Sequence, residues 1–340
     1  MTSLINHLHA FIKEAEPTHE EWMKGIQFLT KTGHMSTEWR QEFIPLSDTL
    51  GVSMLVETIS NRKPSGATET TVLGPFYISG GPRYPHGANI CLDGKGEPLL
   101  VRGRVTDIDG RPIKGARLDV WQANDEGFYD VQQKDVQPDM NLRGIFETDA
   151  DGSYWFKSVK LRFYPVPDDG PVGQLLAALG RHPFRPAHIH FIVGAEGFRP
   201  ITTHVFDPDD PYLATDAVFG VKESLIVEFH KVDHPAEIAR AGFGGPYWRR
   251  SATLYWRGLE AGESHRAPRM SNDPAPFPSI AANPDAASDS RPPAAGGTPC
   301  STTAPESDAF APDGSGTGCG HECHQKVASK DFIFHPYQKR

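Results

Sequence analysis

The sequence predicts a mainly β protein: an antiparallel β-sandwich core, preceded by an N-terminal α-helical region and followed by a disordered C-terminal tail. Three observations carry this. Apolar residues recur near the helical period only to about residue 62. Short β-branched and aromatic runs separated by turn pairs, among them Asp109-Gly110 and Asp151-Gly152, then take over. Beyond about residue 262 the chain is rich in Pro, Ala, Ser, Asp and Gly, with almost nothing to bury. These shifts divide the chain at 1–70, 71–262 and 263–340.

In the first region Leu4, Leu8, Phe11 and Ile12, then Trp22, Ile26, Phe28 and Leu29, then Trp39, Phe43, Leu46 and Leu50 mark three helices. Thr18 ahead of Glu20 and Glu21, and Ser36 or Thr37 ahead of Glu38, supply N-cap chemistry and first-turn negative charge. Pro45 is expected to kink or divide the third helix. The predicted strands are LLVRGRV, ARLDVWQA, SYWFKSV, AHIHFIV, ITTHVF and SLIVEFHKV. Only the short GQLLAALG segment interrupts them with a helix, so the strands should pair antiparallel.

A chain of 340 residues can bury a sizeable core. Its 34 basic and 43 acidic residues give a net charge of -9, which argues against a nucleic-acid binder. No stretch reaches the roughly 18 to 20 apolar residues of a membrane span, and MTSLINHLHAFIKEAE is too polar for a secretory signal. A soluble, cytoplasmic protein is expected. Three of the four cysteines lie in the tail, so the body has no disulfide framework. The tail's CGHECH, with Cys300 further upstream, offers one crowded group of zinc-type ligands without the second pair that makes such a site convincing.

Chemistry concentrates in RPAHIHF, residues 185–191. His188 and His190 at i and i+2 share one face of a strand, where two imidazoles can chelate one metal ion. Tyr129 in WQANDEGFYD and Tyr164 in LRFYPVPDDGPVG add phenolic oxygens, and a phenolate is a hard anionic donor suited to ferric iron. Taken singly, each of these residues reads more readily as an ordinary strand or loop side chain with a satisfied hydrogen bond than as a ligand. A zinc hydrolase and a metal-free β-sandwich binding module are the readings from other classes.

The order WQANDEGFYD, FETDADGSYWF, YPVPDDGPVG and LGRHPFRPAHIHF resembles the intradiol ring-cleavage dioxygenases, and SGATETTVLGPFY is similar to the segment lining their substrate pocket. The likeness runs from about residue 3 to 235, and YPVPDDGPVG resembles the hydroxyquinol-cleaving branch more than the catechol-cleaving one. It implies a catalytic sandwich holding one Fe(III) per subunit through Tyr129, Tyr164, His188 and His190. Arg185 would lie beside the substrate, with Tyr164 and His204 as further catalytic groups; His204 stands where many catechol enzymes carry glutamine. Pro45, Asp48, Val72, Leu73, Gly74, Pro75, Phe76, Val166 and Pro167 would line the pocket, Asp48 accepting a hydrogen bond from an extra ring hydroxyl.

The implied reaction is cleavage of hydroxyquinol (benzene-1,2,4-triol) by O2 between its adjacent hydroxylated carbons, giving 3-hydroxy-cis,cis-muconate, with catechol as the alternative substrate. No reductant is needed, in keeping with the lack of a dinucleotide-binding fingerprint after any predicted strand. The resemblance further implies a homodimer built by the N-terminal helices and a phospholipid at their interface, although this sequence starts without the helical stretch that usually precedes the first helix in this branch.

Overall fold

The computed structural model describes residues 1–37 and 40–256. The predicted tail, its Cys and His residues, and Trp39 lie outside the described residues. The helices are α1 (Thr2–Ala15), α2 (His19–Met35), α3 (Phe43–Thr49), α4 (Val52–Ser60), α5 (Pro171–Ala178) and α6 (Pro235–Ala241). The strands are β1 (Pro98–Asp107), β2 (Arg117–Trp121), β3 (Arg143–Glu147), β4 (Ser153–Val159), β5 (Tyr164–Pro165), β6 (Phe184–Arg185), β7 (His188–Gly194), β8 (Ile201–Phe206), β9 (Phe229–Val232) and β10 (Tyr247–Trp256).

The chain forms two compact units. One takes Met1–Leu46 and Pro167–His182; the other takes Ser47–Val166 and the described chain from Pro183 onward.

In the first unit, Thr18 caps α2 as expected. Its hydroxyl accepts from the Glu21 N–H at 3.2 Å, and the Glu21 carboxylate accepts from the Thr18 N–H at 2.7 Å. Ser36 and Thr37 do not open a helix there. Their hydroxyls accept from the N–H groups of Glu42 and Arg40 and so close a turn, and α3 begins later, at Phe43. This turn carries a buried Glu42, which pairs with Arg40 at 3.0 Å and accepts the Val172 N–H of α5 at 3.2 Å, while Arg40 also reaches Asp169 at 2.7 Å. A buried carboxylate needs such partners, and here they tie α5 to the end of α2.

Pro45 does not break the third helix. It falls in the first turn of α3, where a missing N–H leaves no bond unmade. The break comes at Gly51, whose left-handed φ of 73° starts α4 and yields four N-terminal helices where the periodicity predicts three.

The second unit holds two four-stranded sheets, ordered β4-β1-β10-β9 and β3-β2-β7-β8, and the two-stranded β5-β6. Every neighbouring pair is antiparallel except β1 and β10, which run parallel. Strands β3, β5, β6 and β10 escape the sequence reading, and SLIVEFHKV supplies a strand only over Phe229–Val232, its start being a single 3-10 turn at Glu223–Leu225. Alternation selects the core: Leu99, Val101 and Val105 of β1, Tyr154 and Phe156 of β4, Leu118 and Val120 of β2, and Ile189, Phe191 and Val193 of β7 belong to one buried cluster. The other face of β2, β7 and β8 therefore carries Asp119, Trp121, His188, His190 and His204.

Both predicted Asp-Gly pairs are turns with glycine in the left-handed region. At Gly110 (φ 82°) a Cβ would meet open space, but at Gly152 (φ 76°) it would lie 2.4 Å from the Val105 carbonyl oxygen. Gly110→Ala should therefore lower stability by about 1 kcal/mol, the backbone term alone, and Gly152→Ala by distinctly more, read from urea unfolding midpoints. Equal losses would reject the steric argument.

Candidate active site

The register of the second sheet sets the site. His190 pairs with Trp121 on one side and with His204 on the other, so three ring side chains form a row across β2, β7 and β8, with His188 two residues along β7. The Trp121 and His190 rings stack at 4.5 Å and 12°, and His204 lies 4.1 Å from His190 and 4.7 Å from His188, centroid to centroid. All four side chains are buried.

The tyrosines arrive on loops. Asn124 folds WQANDEGFYD by accepting the N–H groups of Glu126 and Phe128, and Gly127 (φ 88°) lets this loop press on the Phe163 carbonyl, which a Cβ would approach to 2.6 Å. Tyr129 is then fixed from behind: the buried Arg143 guanidinium grips Asp130 at 2.9 and 3.0 Å, and Phe76 stacks on the Tyr129 ring at 4.5 Å. Tyr164 is set by its pairing with Arg185 across β5 and β6.

These placements bring four donor atoms together. Tyr129 Oη lies 3.0 Å from His190 Nε2, His190 Nε2 lies 3.1 Å from His188 Nε2, and His188 Nε2 lies 3.5 Å from Tyr164 Oη. The Pro186 carbonyl can only accept, so the 2.6 Å contact from His188 Nδ1 puts the ring hydrogen on Nδ1 and leaves the Nε2 lone pair facing the cluster. Burial, and after it neighbouring positive charge, holds His188, His190 and His204 well below the ordinary imidazole range, so all three rings are neutral. Burial likewise drives the Tyr129 phenol well above its usual range. Two neutral imidazoles and two phenolic oxygens converging in a buried site fit a hard, highly charged cation, whose charge would favour the phenolate form that burial opposes at Tyr129. Thus Tyr129, Tyr164, His188 and His190 fit one ferric ion.

The structure brings the other predicted residues together unevenly. Arg185 is buried, with Nη1 3.4 Å from both Tyr164 Oη and His188 Nε2. His204 has neither ring nitrogen hydrogen-bonded, with the Val72 backbone beside it, and its ligand atom lies within 4.8 Å of those of His188 and His190. Gly74 approaches His190 so closely that a Cβ would sit 3.2 Å from its Cε1, and Leu73 packs against the aromatic cluster of Phe76, Trp121, Tyr129 and Tyr164. Val72 and Pro75 are half-buried, and Val166 is buried, its N–H bonded to Pro183 at 2.9 Å. Asp48 interacts electrostatically with Arg185; burial raises its carboxyl, with Ser53 and Arg185 opposing. Pro45 and Pro167 belong to the helical unit.

Sequence reasoning missed Trp121, Tyr77, Asp119 and Asp216. Trp121 was legible in principle, lying in a predicted strand, but its partner His190 follows only from register. Tyr77 donates to Asp119 at 3.2 Å and packs on Trp121 at 4.9 Å, buttressing the row from beyond the indole.

A buried cluster of two tyrosines and two histidines, beside an arginine and carried on a β-sandwich, defines a class of protein: one with a candidate metal centre of the kind an enzyme uses on a small molecule. Comparison with known proteins narrows the class. Residues 72–243 match a family profile described as "Dioxygenase", and residues 1–68 one described as "Catechol dioxygenase N terminus". The chain is 62% identical over 249 residues to a hydroxyquinol 1,2-dioxygenase of Rhizobium sp. (strain MTP-10005), an alignment covering 73% of this chain and 84% of that protein. It is 51% identical over 226 residues to a 6-chlorohydroxyquinol 1,2-dioxygenase of Cupriavidus pinatubonensis (66% of this chain, 82% of that protein). The crystal structure of a hydroxyquinol 1,2-dioxygenase from Pseudomonas putida DLL-E4 superposes with a TM-score of 0.73 at 49% identity, covering 76% of this chain and 91% of that one. The chain belongs to the intradiol ring-cleavage dioxygenases, and it is an enzyme. Among the described residues, no helix is long and apolar enough to cross a membrane.

Asp119 gives a pH test of the buttress. Burial, partly offset by Arg117 and Tyr77, pushes its carboxyl up to about 6. A folded value above the ordinary one of about 4 means stability that is full below pH 4 and lost as pH rises through 6. The stability difference between wild type and Asp119→Asn should therefore shift against wild type from pH 4 to pH 7 in urea titrations; a pH-independent difference would show that Asp119 titrates alike in the folded and unfolded chain.

Proposed function

We propose that this enzyme cleaves hydroxyquinol with O2 to 3-hydroxy-cis,cis-muconate, the enol form of maleylacetate, in the cytoplasmic breakdown of aromatic compounds. One ferric ion per subunit would be held by Tyr129, Tyr164, His188 and His190. The observation that carries this reading is the convergence of those four buried donors beside the Arg185 guanidinium. The names of the relatives at 62% and 51% identity support the substrate.

Bound iron would supply Lewis-acid chelation of the substrate's two adjacent hydroxyls. The protein groups do the rest. Tyr164 Oη, 3.5 Å from His188 Nε2 and 3.4 Å from Arg185 Nη1, would be the phenolic oxygen that takes one substrate proton, while Tyr129 is held between Phe76 and His190. Arg185 directs Nη1 at this same edge of the site, where a fixed positive charge stabilises negative charge developing on the ring. Asp48, whose carboxyl burial raises against the opposing pull of Ser53 and Arg185, would accept a hydrogen bond from the third hydroxyl, which catechol lacks. His204, a neutral imidazole beside the Val72 backbone with its ligand atom within 4.8 Å of those of His188 and His190, would offer a hydrogen bond to substrate oxygen at this site. Trp121, Phe76 and Leu73 exclude water. Both atoms of O2 enter the product.

The 71–262 region is then the catalytic domain and 1–70 a dimerisation region. None of the residues of α1 is buried, and Leu4, Leu8 and Phe11, with Trp22, Ile26 and Leu29 of α2, are exposed. Apolar helices so uncovered are the surface on which a second copy of the chain, and a phospholipid, would pack.

Iron-loaded protein should show a visible tyrosinate-to-iron absorption band that shifts on anaerobic addition of hydroxyquinol at lower concentration than of catechol. Tyr129→Phe and Tyr164→Phe should each weaken the band, and Asp48→Ala should narrow the preference about 10-fold or more. A colourless iron-loaded protein would reject the ligand set; the reverse order of affinity would make catechol the substrate. Sedimentation should give a dimer at micromolar concentration, which Leu8→Glu with Phe11→Glu converts to monomer; a monomeric wild type would reject the interface.

A further inference from the structure

We propose that Asp216, held by the loop 216–220, is the positioning residue that aims Arg185 at the reacting atoms. The proposal rests on the function given above. Arg185 and Asp216 are both buried, and the carboxylate takes two of the three guanidinium nitrogens: Nε to Oδ1 at 3.2 Å and Nη2 to Oδ2 at 3.4 Å. A guanidinium is planar and rigid, so engaging one edge fixes the remaining nitrogen. That nitrogen is Nη1, 3.4 Å from Tyr164 Oη and His188 Nε2. Burial opposes the charge on Arg185, but the Asp216 carboxylate, together with Tyr164 and Tyr129, more than offsets it.

The loop is shaped for this pairing. Asp216 accepts the N–H groups of Val218 at 3.2 Å and Gly220 at 2.9 Å, and the Ala217 N–H bonds the carbonyl of Phe184, the residue before Arg185. Phe219 is held at a φ of 56°, a left-handed conformation uncommon for a bulky side chain. A Cβ on Gly220 would lie 2.7 Å from Arg185 Nη2 and 3.1 Å from Asp216 Oδ2, so the loop closes on the ion pair only with glycine there. Asp216 does not reach the donor cluster itself. Its effect passes through Arg185.

The test uses iron-loaded Asp216→Asn, Gly220→Ala and Arg185→Ala. Asp216→Asn and Gly220→Ala should each lower kcat about 100-fold, the loss that a misplacement near 1 Å brings, with KM for hydroxyquinol changed less than about 3-fold. Iron content and the resting visible band should stay those of wild type. Added guanidinium chloride should restore part of the activity of Arg185→Ala, seated on Asp216, and none to Arg185→Ala with Asp216→Asn. Both variants keeping kcat within 2-fold of wild type, equal guanidinium rescue with and without Asp216, or loss of iron along with activity would each overturn the proposal. Should Asp216→Asn fail to fold, Gly220→Ala and the rescue decide. Failure of the functional reading is seen separately, in wild type: a colourless iron-loaded protein ends both, whereas turnover of catechol alone leaves the Asp216 test to be run on catechol.

Discussion

The register of β7 between β2 and β8 lines up Trp121, His190 and His204 on one face of a sheet whose other face, through Ile189, Phe191 and Val193, fills the sandwich core. A slip of one residue would exchange the two faces, driving the imidazoles into the core and the aliphatic side chains into the site. The hydrophobic core therefore fixes the site: the apolar residues of β7 have one place to go, and the histidines must take the other. The stability of the sandwich and the alignment of His188 with His190 are one constraint.

Burying that row has consequences for everything packed on it. Burial keeps the imidazoles neutral, with lone pairs free for a metal ion, and opposes ionisation of the Tyr129 phenol, so that a bound cation would have to supply the charge that favours its phenolate. The charged groups nearby are each supplied with a partner: Arg143 with Asp130 behind Tyr129, and Arg185 with Asp216 beside Tyr164. Leaving either arginine unpaired would strand a buried charge, at a cost of about 3–5 kcal/mol. The two ion pairs thus hold the two tyrosine-bearing segments from opposite ends of the donor set.

Much of this was legible in the sequence. The six predicted strands all contain or overlap observed ones, the period of two puts His188 and His190 on one face, and the motif resemblance names both tyrosines. The helical stretch was legible in kind and less so in its joints, because capping depends on which backbone donors a hydroxyl meets. Ser36 and Thr37 meet those of a turn. Strand β10 stayed hidden because α6, and no hairpin turn, joins it to its antiparallel partner β9, while its other partner, β1, runs parallel to it almost 150 residues earlier.

By itself, the sequence determined which residue types would reach the site and in what local conformation: alternation along a strand and the chemistry of Asn, Gly and Pro in loops act over a few residues, and so can be read from a few residues. Only the tertiary structure decided their company. The stacking of Trp121 on His190, the approach of Gly74 to the same ring, and the grip of Asp216 on Arg185 from 31 positions away depend on strand order and loop closure, which are set by burying the whole core at once. That is a property of the folded chain, and no window of sequence contains it.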